Sequence, residues 1–176
     1  MNYIKEYFNK LETGEIITSK RVYNVYKKLV YNIDNPDAFI FDEKKADRPI
    51  EFIERFCKHS KGEWAGKPIK LELFQKAYIN ALFGFVDKKT GLRKYRESLF
   101  YVARKNGKST MLAGIALYMM IADGEAGADC YSTATKKDQA KIVFDEVTHM
   151  VQQSPELRKY IKKRKSDLYF PLTMSK

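Results

Sequence analysis

Scarce residue types set the first limits on this chain of 176 residues. Its two cysteines, Cys57 and Cys130, form no C-x-x-C pair and sit in no Cys/His cluster. Neither a disulfide framework nor a structural zinc site is expected from them, and a reducing compartment is. The two histidines, His59 and His149, have no partners at metal-ligand spacing and read as surface residues. Long apolar runs are missing: the longest, residues 111–122, covers about 12 residues, against the roughly 20 that a bilayer-spanning helix needs. The N-terminal MNYIKEYFNKLE has no apolar core of the kind a secretory signal requires. Internal repeats and low-complexity tracts are absent, and acidic residues are in deficit: 22 Asp and Glu stand against 33 Lys and Arg, a net charge of +11.

What is present is a foldable amount of apolar material. Hydrophobic residues make up 44% of the chain, with 12 Tyr and 11 Phe, enough to exclude a disordered chain and to bury a core. The basic surplus suggests a polyanionic partner, nucleic acid first, or a lysine-rich surface kept for solubility; composition alone leaves both open.

Periodicity organises the chain. In residues 18–33, Val22, Val25, Tyr26, Leu29 and Val30 fall at helical spacing, with Thr18 or Ser19 as cap and Asp34-Asn35-Pro36 as stop. Residues 37–42 form a short apolar piece. A second helix is expected near Asp47, with Pro49 in its first turn. Residues 59–68, HSKGEWAGKP, read as a loop, and 71–85 as a strongly apolar helix. After a polar connector with a turn at Thr90-Gly91, SLFYVA (98–103) has the unbroken apolar character of a strand buried on both faces. A helix over 108–124 follows, then a short strand at 128–134 and an amphipathic helix over 135–153 capped by Thr135. A further helix starts after Ser154, with Pro155 in its first turn, and carries the basic run RKYIKKRK (158–165) as a solvated face. Strand–helix–strand–helix order from residue 98 predicts an α/β fold with a parallel sheet and flanking helices.

Chemistry concentrates in LFYVARKNGKST, residues 99–110. Gly107-Lys108-Ser109 is the tail of the phosphate-binding pattern G-x-x-x-x-G-K-[ST], but Val102 stands where the pattern has its first glycine. The tripeptide follows a strand pattern and opens an apolar helix, as the mechanism demands: N–H groups and the dipole at a helix N-terminus favour phosphate. Gly107 lets the backbone come close, Lys108 reaches the terminal phosphates, and the Ser109 hydroxyl sits on Mg²⁺. With Val102 poor at positive φ, the chain is expected to break over Arg104, Lys105 and Asn106, since Asn tolerates left-handed geometry. A lysine-rich structural turn is the alternative.

VARKNGKST resembles the variant phosphate loop of tailed-bacteriophage terminase large subunits, which often lacks the first glycine and carries an arginine inside the loop. RPIEFIERFCKHSKGEWAGKPIKLELFQ and DCYSTATKKDQAKIVFDEV are also similar to segments of that family, so that the resemblance runs over residues 20–176. It implies a partial P-loop NTPase core over residues 66–176, preceded by a mainly helical segment over 1–65. It implies ATP and Mg²⁺ as cofactors and a nucleotide site of Gln75 (reading adenine), Arg104, Lys105, Asn106, Gly107, Lys108, Ser109 and Thr110. Lys108 and Arg104 would act in catalysis, Arg104 as an arginine finger in cis, and Ser109 would hold the metal. The implied partners are double-stranded DNA, a portal protein and a small terminase subunit. The implied setting is the host cytoplasm, with no membrane, and a homo-oligomeric ring on the portal when the protein is full length.

A P-loop ATPase also needs an apolar strand ending in an acidic residue. The one match after the loop, KIVFDE with Asp145 and Glu146, lies in a helical pattern and is set aside. The resemblance implies that the acidic motif and a nuclease domain lie beyond this point, so the chain reads as the N-terminal part of a longer protein. Another P-loop translocase or helicase, or a basic nucleic-acid-binding module without ATPase activity, are the competing functions. Trp64 and Phe74 are expected to pack, with contact to adenine as the alternative for Trp64.

Overall fold

The computed structural model describes residues 2–176, which form seven α-helices and two small antiparallel sheets. They gather into two units that interleave along the chain: Met1–Ile50 with Leu71–Phe100, and Glu51–Lys70 with Tyr101–Lys176.

The first unit is built on helix α1 (Tyr3–Glu12), α2 (Lys20–Asp34) and α4 (Leu73–Gly84), with the N-terminal half of α3 (Glu43–Phe56) and a hairpin of β1 (Phe39–Phe41) and β2 (Phe85–Asp87). Sequence reading missed α1, although Asn2 caps it by accepting the Lys5 N–H and Ile4, Tyr7 and Leu11 share one buried stripe. That stripe meets Tyr26, Leu29, Ala77 and Phe85, and the Tyr7 and Tyr26 rings meet edge-on at 4.6 Å. Ser19 rather than Thr18 caps α2, accepting the Val22 N–H. β1 and β2 pair with Phe41 opposite Phe85. The turn after β2 is held by Asp87, whose carboxylate accepts from the N–H groups of Lys89 and Thr90 and from the Thr90 hydroxyl; these bonds hold its pKa below the usual range.

The second unit packs α5 (Lys108–Ile121) against α6 (Lys137–Gln153), with α7 (Pro155–Tyr160) beside α6. α5 is buried at Met111, Ala113, Gly114, Ile115, Leu117, Tyr118 and Met120, so nearly its whole circumference is covered. Val147, Met150 and Val151 of α6 are buried too, as are Ile53, Cys57 and Leu157 of the same unit. Ser154 caps α7 through the Leu157 N–H, and Pro155 opens it, as the sequence indicates.

Several expectations are corrected. α3 begins at Glu43, so Pro49 lies inside the helix, where it is fully buried, rather than in a first turn. Lys136, not Thr135, is the residue before α6. The basic run 158–165 is not one helix face: α7 stops at Tyr160, and Lys162–Lys163 (β3) pairs antiparallel with Leu168–Tyr169 (β4) across a turn tied by an Arg164–Asp167 bidentate pair.

Residues 98–103 form no strand; Leu99 and Tyr101 are 89% and 93% exposed. A strand in the middle of a parallel sheet gains its hydrogen bonds and its burial from neighbours on both sides, and among the described residues this segment has none. Phe100 instead lies against Phe74 and Tyr78 of α4. Residues 128–134 are likewise not a regular strand, but Lys176 N–H donates to Ala128 O and Lys176 O accepts from Cys130 N–H. That is the bonding of a single parallel pair about Asp129.

Candidate phosphate-binding site

The turn before α5 reverses direction by two left-handed residues. Lys105 and Gly107 both have φ of 67°. The break falls within the expected three residues, but Lys105 rather than Asn106 takes the left-handed conformation. Asn106 instead uses its side-chain amide to bridge the Ala103 and Arg104 carbonyls, each at 3.3 Å, and so closes the loop from inside. This arrangement makes the first glycine of the strict pattern dispensable, because no positive φ falls on Val102.

Gly107 is the N-cap of α5. A glycine cap offers no side-chain acceptor, so the first-turn N–H groups of α5 have no capping oxygen and no intrahelical acceptor. Together with the dipole they make this helix start receptive to an anion. Arg104, Lys105 and Lys108 surround it, all exposed and none held in an ion pair among the described residues. Ser109 and Thr110 are half-buried in the first turn. The donor set suits a polyphosphate with Mg²⁺: backbone N–H groups, three free cations, and a hydroxyl of the right type at Ser109 for the metal. No trio of His, Cys, Asp and Glu among the described residues forms a metal-binding group by itself.

The structure thus places Arg104, Lys105, Asn106, Gly107, Lys108, Ser109 and Thr110 in one turn and helix start. Gln75 belongs to the other unit. It is 6% exposed, and its Oε1 accepts the Glu72 N–H at 3.0 Å, forming one half of a capping box on α4. Trp64, in the short 3-10 turn Gly62–Trp64, is 55% exposed, with the Lys67 ammonium 4.6 Å from its ring. His59 and His149 are half-buried rather than on the open surface, and His149 Nδ1 is buried without a hydrogen-bond partner.

Asp145 and Glu146 lie in the middle of α6, a helix, as their spacing indicates. Sequence reasoning left Glu146 there without a role, yet its two oxygens are both engaged. Oε1 accepts from the Thr110 hydroxyl at 3.2 Å, and Oε2 accepts from the Ser60 hydroxyl at 2.6 Å. With 36 and 86 residues separating the partners, no sequence pattern announces this contact.

Comparison with known proteins places the chain in a family. The family model for the terminase large subunit, ATPase domain, matches residues 73–172, more than half of the chain. The large terminase subunit of Enterobacteria phage HK97 is 34% identical over 118 residues, covering 66% of this chain and 22% of that protein. The large terminase subunit of Lactococcus phage p2 is 26% identical over 165 residues, covering 91% of this chain and 29% of that protein. Among solved structures, the crystal structure of the HK97 large terminase matches with a TM-score of 0.60 at 32% identity, over 70% of this chain and 24% of that one. The chain spans less than a third of the length of these relatives.

Proposed function

The chain belongs to the family of terminase large subunit ATPase domains, a DNA-packaging motor family, and from that premise we propose that residues 104–110 hold the triphosphate of ATP. The bound nucleotide drives translocation of double-stranded DNA into procapsids when the chain acts within a complete motor. The observation that carries the reading is the Gly107 cap, which leaves the start of α5 open to an anion with Lys108 exposed beside it.

Each residue has a distinct task. The α5 N–H groups and Lys108 bind phosphate oxygens, and Lys105 adds charge. Asn106 keeps the loop shape through its two carbonyl contacts. The Ser109 hydroxyl would hold Mg²⁺, which would supply neutralisation of phosphate charge. Arg104 offers a planar fork to the γ-phosphate oxygens, where charge develops in the transition state. Gln75 is proposed to read adenine through its side-chain amide, whose oxygen accepts the Glu72 N–H. Residues 66–176 would then be part of the ATPase core. The wider setting follows from the same reading: a portal protein, a small terminase subunit, a ring of copies on the portal, and the host cytoplasm. No described helix is long and apolar enough to cross a membrane.

Lys108→Ala tests the reading. Lys108 is exposed, so the variant should keep the fold. Calorimetric titration with Mg·ATP should give binding to the wild-type chain and none to the variant. Equal affinity for both would reduce the loop to a structural turn.

A further inference from the structure

Glu146 joins two parts of the second unit that are far apart in sequence. At one end is Thr110, in the first turn of α5, next to Ser109. At the other is Ser60, in the loop over residues 59–68 that carries Trp64. The loop is fastened to α6 a second time, where Gln153 Nε2 donates to the Ser60 carbonyl at 3.3 Å. Glu146 and Gln153 are seven residues, two turns, apart and so face the same side of α6. Within the loop, Lys67 lies over the Trp64 ring and Lys67 N–H donates to the Trp64 carbonyl, so Trp64 moves with its loop.

We infer that Glu146 is a positioning residue that couples occupancy of the phosphate loop to the 59–68 loop. The inference rests on the nucleotide reading given above. Two features give it direction. The Ser60 bond, at 2.6 Å, lies within the ~2.5–3.0 Å range usual between two oxygens, whereas the Thr110 contact, at 3.2 Å, lies beyond it. The carboxylate therefore stays with the loop and is only loosely held at the nucleotide end. A nucleotide phosphate held at the first turn of α5 would alter the Thr110 contact, and the change would pass through the Glu146 carboxylate to Ser60. A carboxylate that served α6 alone would have no reason to hold hydroxyls from two other segments at once.

The chain contains one tryptophan, Trp64, so its emission reports on this loop alone. The test is a titration of the whole chain with Mg·ADP, following Trp64 fluorescence and, separately, calorimetric binding. In the wild type the emission should change and saturate with the calorimetric dissociation constant. Glu146→Ala should bind Mg·ADP within about tenfold of wild type while losing the emission response. Ser60→Ala, which cuts the link at its other end, should do the same, and it decides the matter if Glu146→Ala does not fold. Glu146→Gln, which can still accept and donate, and Ser60→Thr, which keeps the hydroxyl, should restore the response. A response that persists in Glu146→Ala or Ser60→Ala would overturn the coupling, since Trp64 would then sense nucleotide by another route. So would a wild-type chain that binds without any change in emission. A wild-type chain with no calorimetric binding would overturn the nucleotide reading, and this inference with it.

Discussion

The side chain of Asn80 accepts the backbone N–H of Tyr3 at 3.0 Å, joining the start of α1 to the middle of α4 across 77 residues of chain. Asn80 is fully buried, and its amide also reaches Asp47 of α3 at 3.3 Å. One carboxamide thus ties three helices of the first unit. Asn80→Ala leaves the Tyr3 N–H without this acceptor and should cost ~1–3 kcal/mol. A lowered midpoint in urea with unchanged slope checks it; a loss under ~0.5 kcal/mol would mean that water replaces the bond at no penalty.

In the second unit, Gly114 of α5 lies so close to Ile53 that a Cβ would stand 2.9, 3.1 and 3.2 Å from three of its side-chain carbons. Gly114→Ala gains up to ~1 kcal/mol of helix propensity but overpacks a fully buried contact, at ~1–3 kcal/mol. Net destabilisation is expected. The double variant Gly114→Ala/Ile53→Ala should be more stable than the two single losses sum to, by ~1 kcal/mol or more. Strict additivity in a thermal-unfolding cycle would show that the helices simply move apart.

Burial pushes the Cys57 thiol up to about 12, from 9.0. The folded chain keeps this proton while the unfolded chain releases it, so stability falls as pH rises from about 9 towards 12, by up to ~1.4 kcal/mol per pH unit. The loss begins at the unfolded value and ends at the folded one. Cys57→Ala should be less stable at pH 7 yet lose less between pH 9 and 11. Parallel losses for both chains would remove Cys57 as the cause. In native buffer a thiol reagent should label Cys130, which is half-buried, well before Cys57.

Arg104 separates catalysis from binding. Acting on the transition state, its loss in the full-length motor should lower turnover by ~10³–10⁵ and spare ATP affinity. Arg104→Lys should rescue little, because ammonium has no planar fork. A raised dissociation constant with intact maximal rate would make Arg104 a ground-state contact only.

The chain by itself should bind ATP but turn it over far below the ~1–10³ s⁻¹ usual for enzymes. Asp145 and Glu146, its one apolar-then-acidic match, sit within a helix, and Glu146 is already engaged by two hydroxyls. Steady-state phosphate release in the usual range would return these two residues to the catalytic machinery.

The sequence by itself determined most of the helices, α1 excepted, and the place of the glycine-lysine-serine turn that opens α5. Helix caps and apolar stripes are local: Ser19 before α2, Ser154-Pro155 before α7, and Gly107-Lys108-Ser109 at α5 each act within a few residues. The resemblance to terminases was legible for a similar reason, as it lies in contiguous runs around that loop. Strands were not legible in the same way. An apolar run such as 98–103 specifies a need for burial, and only neighbouring strands can make it a strand; Leu99 and Tyr101 remain exposed here. Conversely, β3 is two lysines that no hydrophobic pattern marks, paired because the Arg164–Asp167 turn folds the chain back on itself. The left-handed turn at Lys105 is local as well: Asn106 directs its amide to the Ala103 and Arg104 carbonyls, three and two residues back, and Lys105 takes the left-handed conformation. Glu146, Asn80 and Gly114 owe their roles to partners 33 to 86 residues away. A single side chain's type says what it can bond, and only the folded chain decides which atoms come within reach.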